Sequence, residues 1–77
     1  MDMAQGFHTK DTDMASYLYA SGVALLGVDR SDPQNVEFVF SPPDEKLLTA
    51  FRTSAAMVNA LAFCAARKYL LNRIHRD

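Results

Sequence analysis

The sequence predicts a small single α+β domain in the order α-β-β-α-α, a two-stranded antiparallel hairpin packed against a long C-terminal helix. Three observations carry this. Val36-Glu37-Phe38-Val39-Phe40 is β-branched and aromatic, the composition of a strand. Ser41-Pro42-Pro43-Asp44 directly after it is a helix start, because prolines are tolerated in a first turn whose N–H groups have no helical partner. The last third of the chain repeats its apolar residues at helical spacing. With 49 % hydrophobic and 22 % charged residues, the 77-residue chain has a globular and not a disordered composition.

Met1 to Lys10 is polar, holds Gly6 and offers only Phe7 as an anchor, so a flexible tail is expected over 1–10 and the domain over 11–77. Thr12 or Asp13 is a candidate N-cap for a helix over about 12–21, with Met14, Tyr17, Leu18 and Ser21 on one face. Gly22 stands where a left-handed residue closes such a helix. The aromatic run Tyr17-Leu18-Tyr19 leaves a strand as the alternative. Val23 to Val28 forms a short apolar strand, and Arg30 to Asn35, with Asp32-Pro33, forms the turn into the second one. In that second strand Val36, Phe38 and Phe40 share one face, and Glu37 and Val39 share the other.

Ser41 is expected to cap the next helix, with Asp44 at its third position completing a capping-box-like arrangement. Leu47, Leu48 and Phe51 form its apolar face, and it ends near Thr53. Ser54 is then expected to cap the final helix, which runs to about Arg76. That helix carries two apolar stripes. Ala60, Phe63, Cys64, Leu70, Leu71 and Ile74 form the expected core face, with Cys64 buried as a small hydrophobe. Val58, Leu61, Ala62, Ala65 and Tyr69 lie nearly opposite. A domain this small covers one stripe easily; the other is covered by a preceding helix or by a partner.

The run from Gly22 through Leu25-Leu26-Gly27-Val28-Asp29-Arg30 and Val36 to Phe40, then Pro43-Asp44, Ala50-Phe51 and Val58-Asn59-Ala60-Leu61-Ala62-Phe63, resembles a family of short bacterial and phage-encoded proteins classed as a domain of unknown function. The resemblance spans about residues 12–74. It implies a phage or mobile-element origin and supplies no activity and no functional residues.

No catalytic, cofactor-binding or metal site is expected from the motifs. His8, Asp11 and Asp13 have the residue types of metal ligands, but a loose tail makes a poor preorganised site. Cys64 and His75 are eleven residues apart on one helix, about 16 Å at the helical rise, too far for a nucleophile and its base. Neither GxGxxG nor GxxxxGK[ST] occurs, so no phosphate cradle is evident. No cofactor is called for, and the chain is read as no enzyme.

Charge is uneven. Residues 1–45 carry eight acids and two bases, net −6, while residues 46–77 carry six bases and one acid, net +5. The simplest account is attraction between the halves. The alternative is nucleic-acid contact through Lys68, Arg73 and Arg76 at the basic end of the last helix. Arg67 falls in an apolar stripe, where it snorkels or pairs with Asp44 or Glu45. Tyr17, Tyr19 and Tyr69 are read as rim packing. No stretch is long and apolar enough to span a membrane, no signal segment is evident, and one cysteine makes no internal disulfide, so a cytoplasmic location is the expectation. With neither a disulfide nor a zinc motif to supplement a small core, self-association is the remaining staple. The leading functional expectation is therefore a non-catalytic protein-interaction module, homodimeric, using Val58, Leu61, Ala62, Ala65 and Tyr69.

Overall fold

The computed structural model describes residues 6–76. Its elements are β1 (Phe7–Thr9), α1 (Thr12–Ala20), β2 (Leu25–Asp29), β3 (Glu37–Phe40), α2 (Glu45–Arg52) and α3 (Ala60–Arg76). The α+β class is as the sequence predicts, with one strand more. β3 is central, with β1 on one side and β2 on the other, both antiparallel to it. The stretch Phe7–Thr9, assigned to a tail by composition, is therefore a strand; residues 1–5 of that tail lie outside the described residues. Phe7 pairs with Phe40 and packs against the core, which is what holds so short a strand in the sheet. Three strands with one apolar face meet the usual minimum for an independent sheet, so the hairpin does not need a second subunit to complete it.

Phe38 and Phe40 point to the helices and are fully buried, in one cluster with Met14, Tyr17, Leu18 and Leu70. Val39 and Glu37 point to the other face, as alternation requires. β2 alternates less simply. Leu25 pairs with Phe40 but Gly27 pairs with Val39, leaving Leu26 as an extra residue in a β-bulge. The bulge lets Leu25 and Val28 both reach the core face, and turns Gly27 and Asp29 to the face of Val39 and Glu37. Gly6 is packed over that face: a Cβ there would lie 2.7 Å from Phe40 O and from Val39 Cγ1.

α1 is a helix, which settles the strand alternative for residues 12–20. Its N-cap is Asp11, one residue before the expected pair, with Oδ1 accepting from Asp13 N and Met14 N. Five consecutive residues, Met14 to Leu18, are buried because sheet, α2 and α3 surround it. Ser16 survives there because its hydroxyl donates to Thr12 O at 2.7 Å. The Tyr17 ring lies 5.5 Å from that of Phe51 and ties α2 to α1. Gly22, at φ 94°, closes α1: Gly22 N donates to Tyr19 O and Val23 N to Leu18 O, the bond pair of a Schellman motif.

Two expected helix starts differ. Asp44, not Ser41, caps α2, accepting from Lys46 N at 2.9 Å. Ser54 does not start α3. It ends α2 at φ 61°, with Ser54 N donating to Phe51 O and Ala55 N to Ala50 O, a second Schellman motif with serine in the glycine position. α3 starts at Ala60, where Asn59 Oδ1 accepts from Ala62 N at 3.0 Å. At its other end Arg30 donates to Arg73 O and Ile74 O at 3.0 and 3.1 Å, satisfying last-turn carbonyls from the β2–β3 turn.

The two Schellman ends predict opposite effects. Ser54→Gly removes left-handed strain and should raise stability by about 1 kcal/mol, whereas Gly22→Ala, with no atom within 4 Å of the new methyl, should cost about 1 kcal/mol from backbone strain alone. Urea denaturation of the two variants checks the signs. Arg30→Met should cost about 1–3 kcal/mol and fray the last turn of α3, seen as faster amide exchange at residues 73–75 than at 66–70.

Candidate functional site

Two surfaces carry the chemistry, one on each side of the sheet. The first lies along α3. Leu70 and Ala66 are buried, and Phe63 and Ile74 pack against the core, so this line is the covered face. Two residues expected on the core face, Ala60 and Cys64, are exposed instead, because α1 and the sheet approach α3 along the line of Ala66 and Leu70 and leave its flank in water. Of the opposite stripe, Val58 lies in the loop before α3, where it is partly buried against the core. Leu61 stands 81 % exposed, Ala65 is exposed, and Ala62 is half-buried. Tyr69 is stacked on Tyr19 of α1 at 5.2 Å between ring centres and is 41 % exposed. Tyr19, Ala20, Ala62, Ala65, Ala66 and Tyr69 line a shallow groove of about 400 Å³ between α1 and α3. Met57, 91 % exposed, lies in the loop leading to α3. The alanines make the floor low and the tyrosine pair makes one wall, a shape that accepts an apolar side chain.

The basic section at the end of α3 is only partly turned outward. Lys68 is exposed, while Arg73 is half-buried and donates to the Tyr69 hydroxyl at 3.1 Å. Arg76 closes the helix. Arg67 reaches neither Asp44 nor Glu45 but lies 3.8 Å from Asp13 of α1, an exposed pair that contributes little.

The second surface is on the face of the sheet away from the helices. His8, Asp29 and Glu37 come from three different strands and converge there. His8 Nδ1 lies 3.3 Å from Glu37 Oε1 and 3.7 Å from Asp29 Oδ2. One ligand atom from each residue lies within 4.8 Å of the others. All three side chains are partly covered, at 28 to 31 % exposure. Ser31 holds Asp29 from behind, its hydroxyl 2.6 Å and its backbone N–H 2.9 Å from Oδ1. These bonds from Ser31, helped by the charge of His8, hold the Asp29 carboxyl below the usual aspartate range. Asp32 is lowered in the same way, first by the Asn35 amide and then by Gln34 N–H, with Lys10 adding its charge.

Of the sequence candidates His8, Asp11 and Asp13, only His8 takes part. Asp11 is spent on the α1 cap and Asp13 faces Arg67. The strand alternation placed Glu37 opposite the core face, which was the one available signal for this cluster; the pairing of β1 and the bulge that turns Asp29 were not. No family model matches the chain, and no curated protein or solved structure matches it. No helix among the described residues is long and apolar enough to cross a membrane.

The lowered Asp32 predicts a sign for acid sensitivity. A carboxylate held below its ordinary value stabilises the fold above that value, near 3.9, and the contribution is lost as pH falls through the lower folded value. The urea midpoint of the wild type should therefore fall below about pH 4, and Asp32→Asn should lose less over the same interval.

Proposed function

We propose that this chain is a non-catalytic protein-interaction module that acts as a homodimer through the outer face of α3. The observation that carries the reading is the juxtaposition of a protruding apolar side chain, Leu61, with an alanine-floored groove one turn further along the same helix. A two-fold pairing of like surfaces lets each copy insert Leu61 into the groove of the other, so one patch serves as both knob and hole. Ala62 and Ala65 allow the helix backbones to approach closely, and Tyr69 supplies a rigid, stacked wall at small entropic cost. Met57 extends the apolar surface past the helix start. A face of this kind, uncovered on a body of 8.6 kDa, is the usual mark of an interface in small proteins.

Val58, expected in this interface, is omitted from it because it packs inward. Leu61, Ala62, Ala65 and Tyr69 remain as the residues proposed to make contact. Light scattering at micromolar concentration is expected to give the mass of two chains. Leu61→Glu and Ala65→Glu change exposed positions, so each should fold normally and weaken the dimer at least about tenfold, near 1.4 kcal/mol. A wild type that stays at one chain's mass throughout the micromolar range overturns the reading.

A further inference from the structure

We propose that His8, Asp29 and Glu37 form a binding site for a divalent first-row transition ion, with zinc as the probe. Each strand of the sheet contributes one ligand, and the register explains why they meet. His8 pairs with Val39 and Asp29 with Glu37, and Val39 and Glu37 are two residues apart on β3, so all three side chains stand on the same face as near neighbours. The set is not a plain acidic cluster. One imidazole nitrogen with two carboxylates is a mixed donor set, and it suits zinc and its neighbours better than calcium or magnesium, which prefer oxygen throughout. Neutral imidazole and two carboxylates present two negative charges to a doubly charged ion.

The distances fit. Zinc–nitrogen and zinc–oxygen bonds of about 2.0–2.2 Å place neighbouring tetrahedral donors roughly 3.3–3.5 Å apart. The nitrogen of His8 is 3.3 Å from one carboxylate oxygen and 3.7 Å from the other. Closing the widest gap, at most 4.8 Å, takes a rotation of side chains and not a shift of strands. Ser31 engages Oδ1 of Asp29 and thereby fixes the carboxylate with Oδ2 toward His8, the orienting role that outer partners play at metal centres. Three protein ligands leave a fourth position for water or for a ligand atom from another molecule. The site also locks β1, held by only three residues, to the hairpin, so an ion bound here should stabilise the fold.

The test uses the full chain stripped with EDTA and carrying Cys64→Ser, which removes an exposed thiol of a type that ligates zinc. Isothermal titration with zinc sulfate near neutral pH should give one ion per chain, and thermal melting should shift upward with zinc and return with EDTA. His8→Gln and Glu37→Gln should each weaken binding by at least about tenfold. Ser31→Ala, which leaves the ligands in place, should weaken it by a smaller factor. No zinc binding by the stripped parent overturns the proposal. Undiminished affinity in folded His8→Gln and Glu37→Gln variants also overturns it. Should either variant fail to fold, the titration of the parent and of Ser31→Ala decides. Loss of the dimer by Leu61→Glu should leave zinc affinity unchanged, which separates this site from the α3 face.

Discussion

One extra residue in β2 organises the sheet. Without the bulge at Leu26, strict alternation would send Leu25 and Val28 to opposite faces, and one of them would leave the core for water. With it, both pack on the helices beside Phe38 and Phe40, while Gly27 and Asp29 turn outward together. The same device therefore completes the apolar face on one side and delivers a carboxylate to the polar cluster on the other. Bulges commonly re-aim side chains next to sites, and here the re-aimed residue is Asp29.

The helices are placed by their ends as much as by their apolar faces. Left-handed residues at Gly22 and Ser54 reverse the chain after α1 and α2, each with the same pair of backbone bonds. Glycine does this without strain, whereas serine does it against a steric cost that the loop after α2 tolerates. Arg30 closes the circuit by holding the last carbonyls of α3 from the turn between β2 and β3. The hairpin and the C-terminal helix, more than forty residues apart, are thus joined by one guanidinium nitrogen that donates to two carbonyls, as well as by Leu70.

The two surfaces differ in kind, and so do the partners proposed for them. The α3 face is shallow and apolar, a protruding Leu61 beside an alanine-lined groove. The opposite sheet face gathers one imidazole and two carboxylates from three strands in a partly covered cluster. Their separation on either side of the sheet keeps the two readings independent: changing Leu61 does not touch His8, and changing Glu37 does not touch the groove.

The element types were largely legible in the residues. β3 announced itself by composition, Gly22 by its position after an apolar turn, and α3 by its period; the projection showed the stripe with Leu61 and Ala65 but left open whether the chain itself covers it. What failed were the decisions that depend on neighbours. Phe7-His8-Thr9 is too short and too polar to declare itself a strand, and it is one because Phe40 and Phe38 offer an unpaired edge beside an apolar surface. Cys64 and Ala60 belong to an apolar stripe on paper, yet the direction from which α1 approaches leaves them in water. Asp44 takes the cap from Ser41, and Asn59 takes it from Ser54, because the path of the loops places those oxygens over the free N–H groups. Local propensity and periodicity are properties of adjacent residues and are written in the chain. Register, bulges and the meeting of His8 with Asp29 and Glu37 arise from packing between segments some twenty to thirty residues apart, so only the folded arrangement decides them.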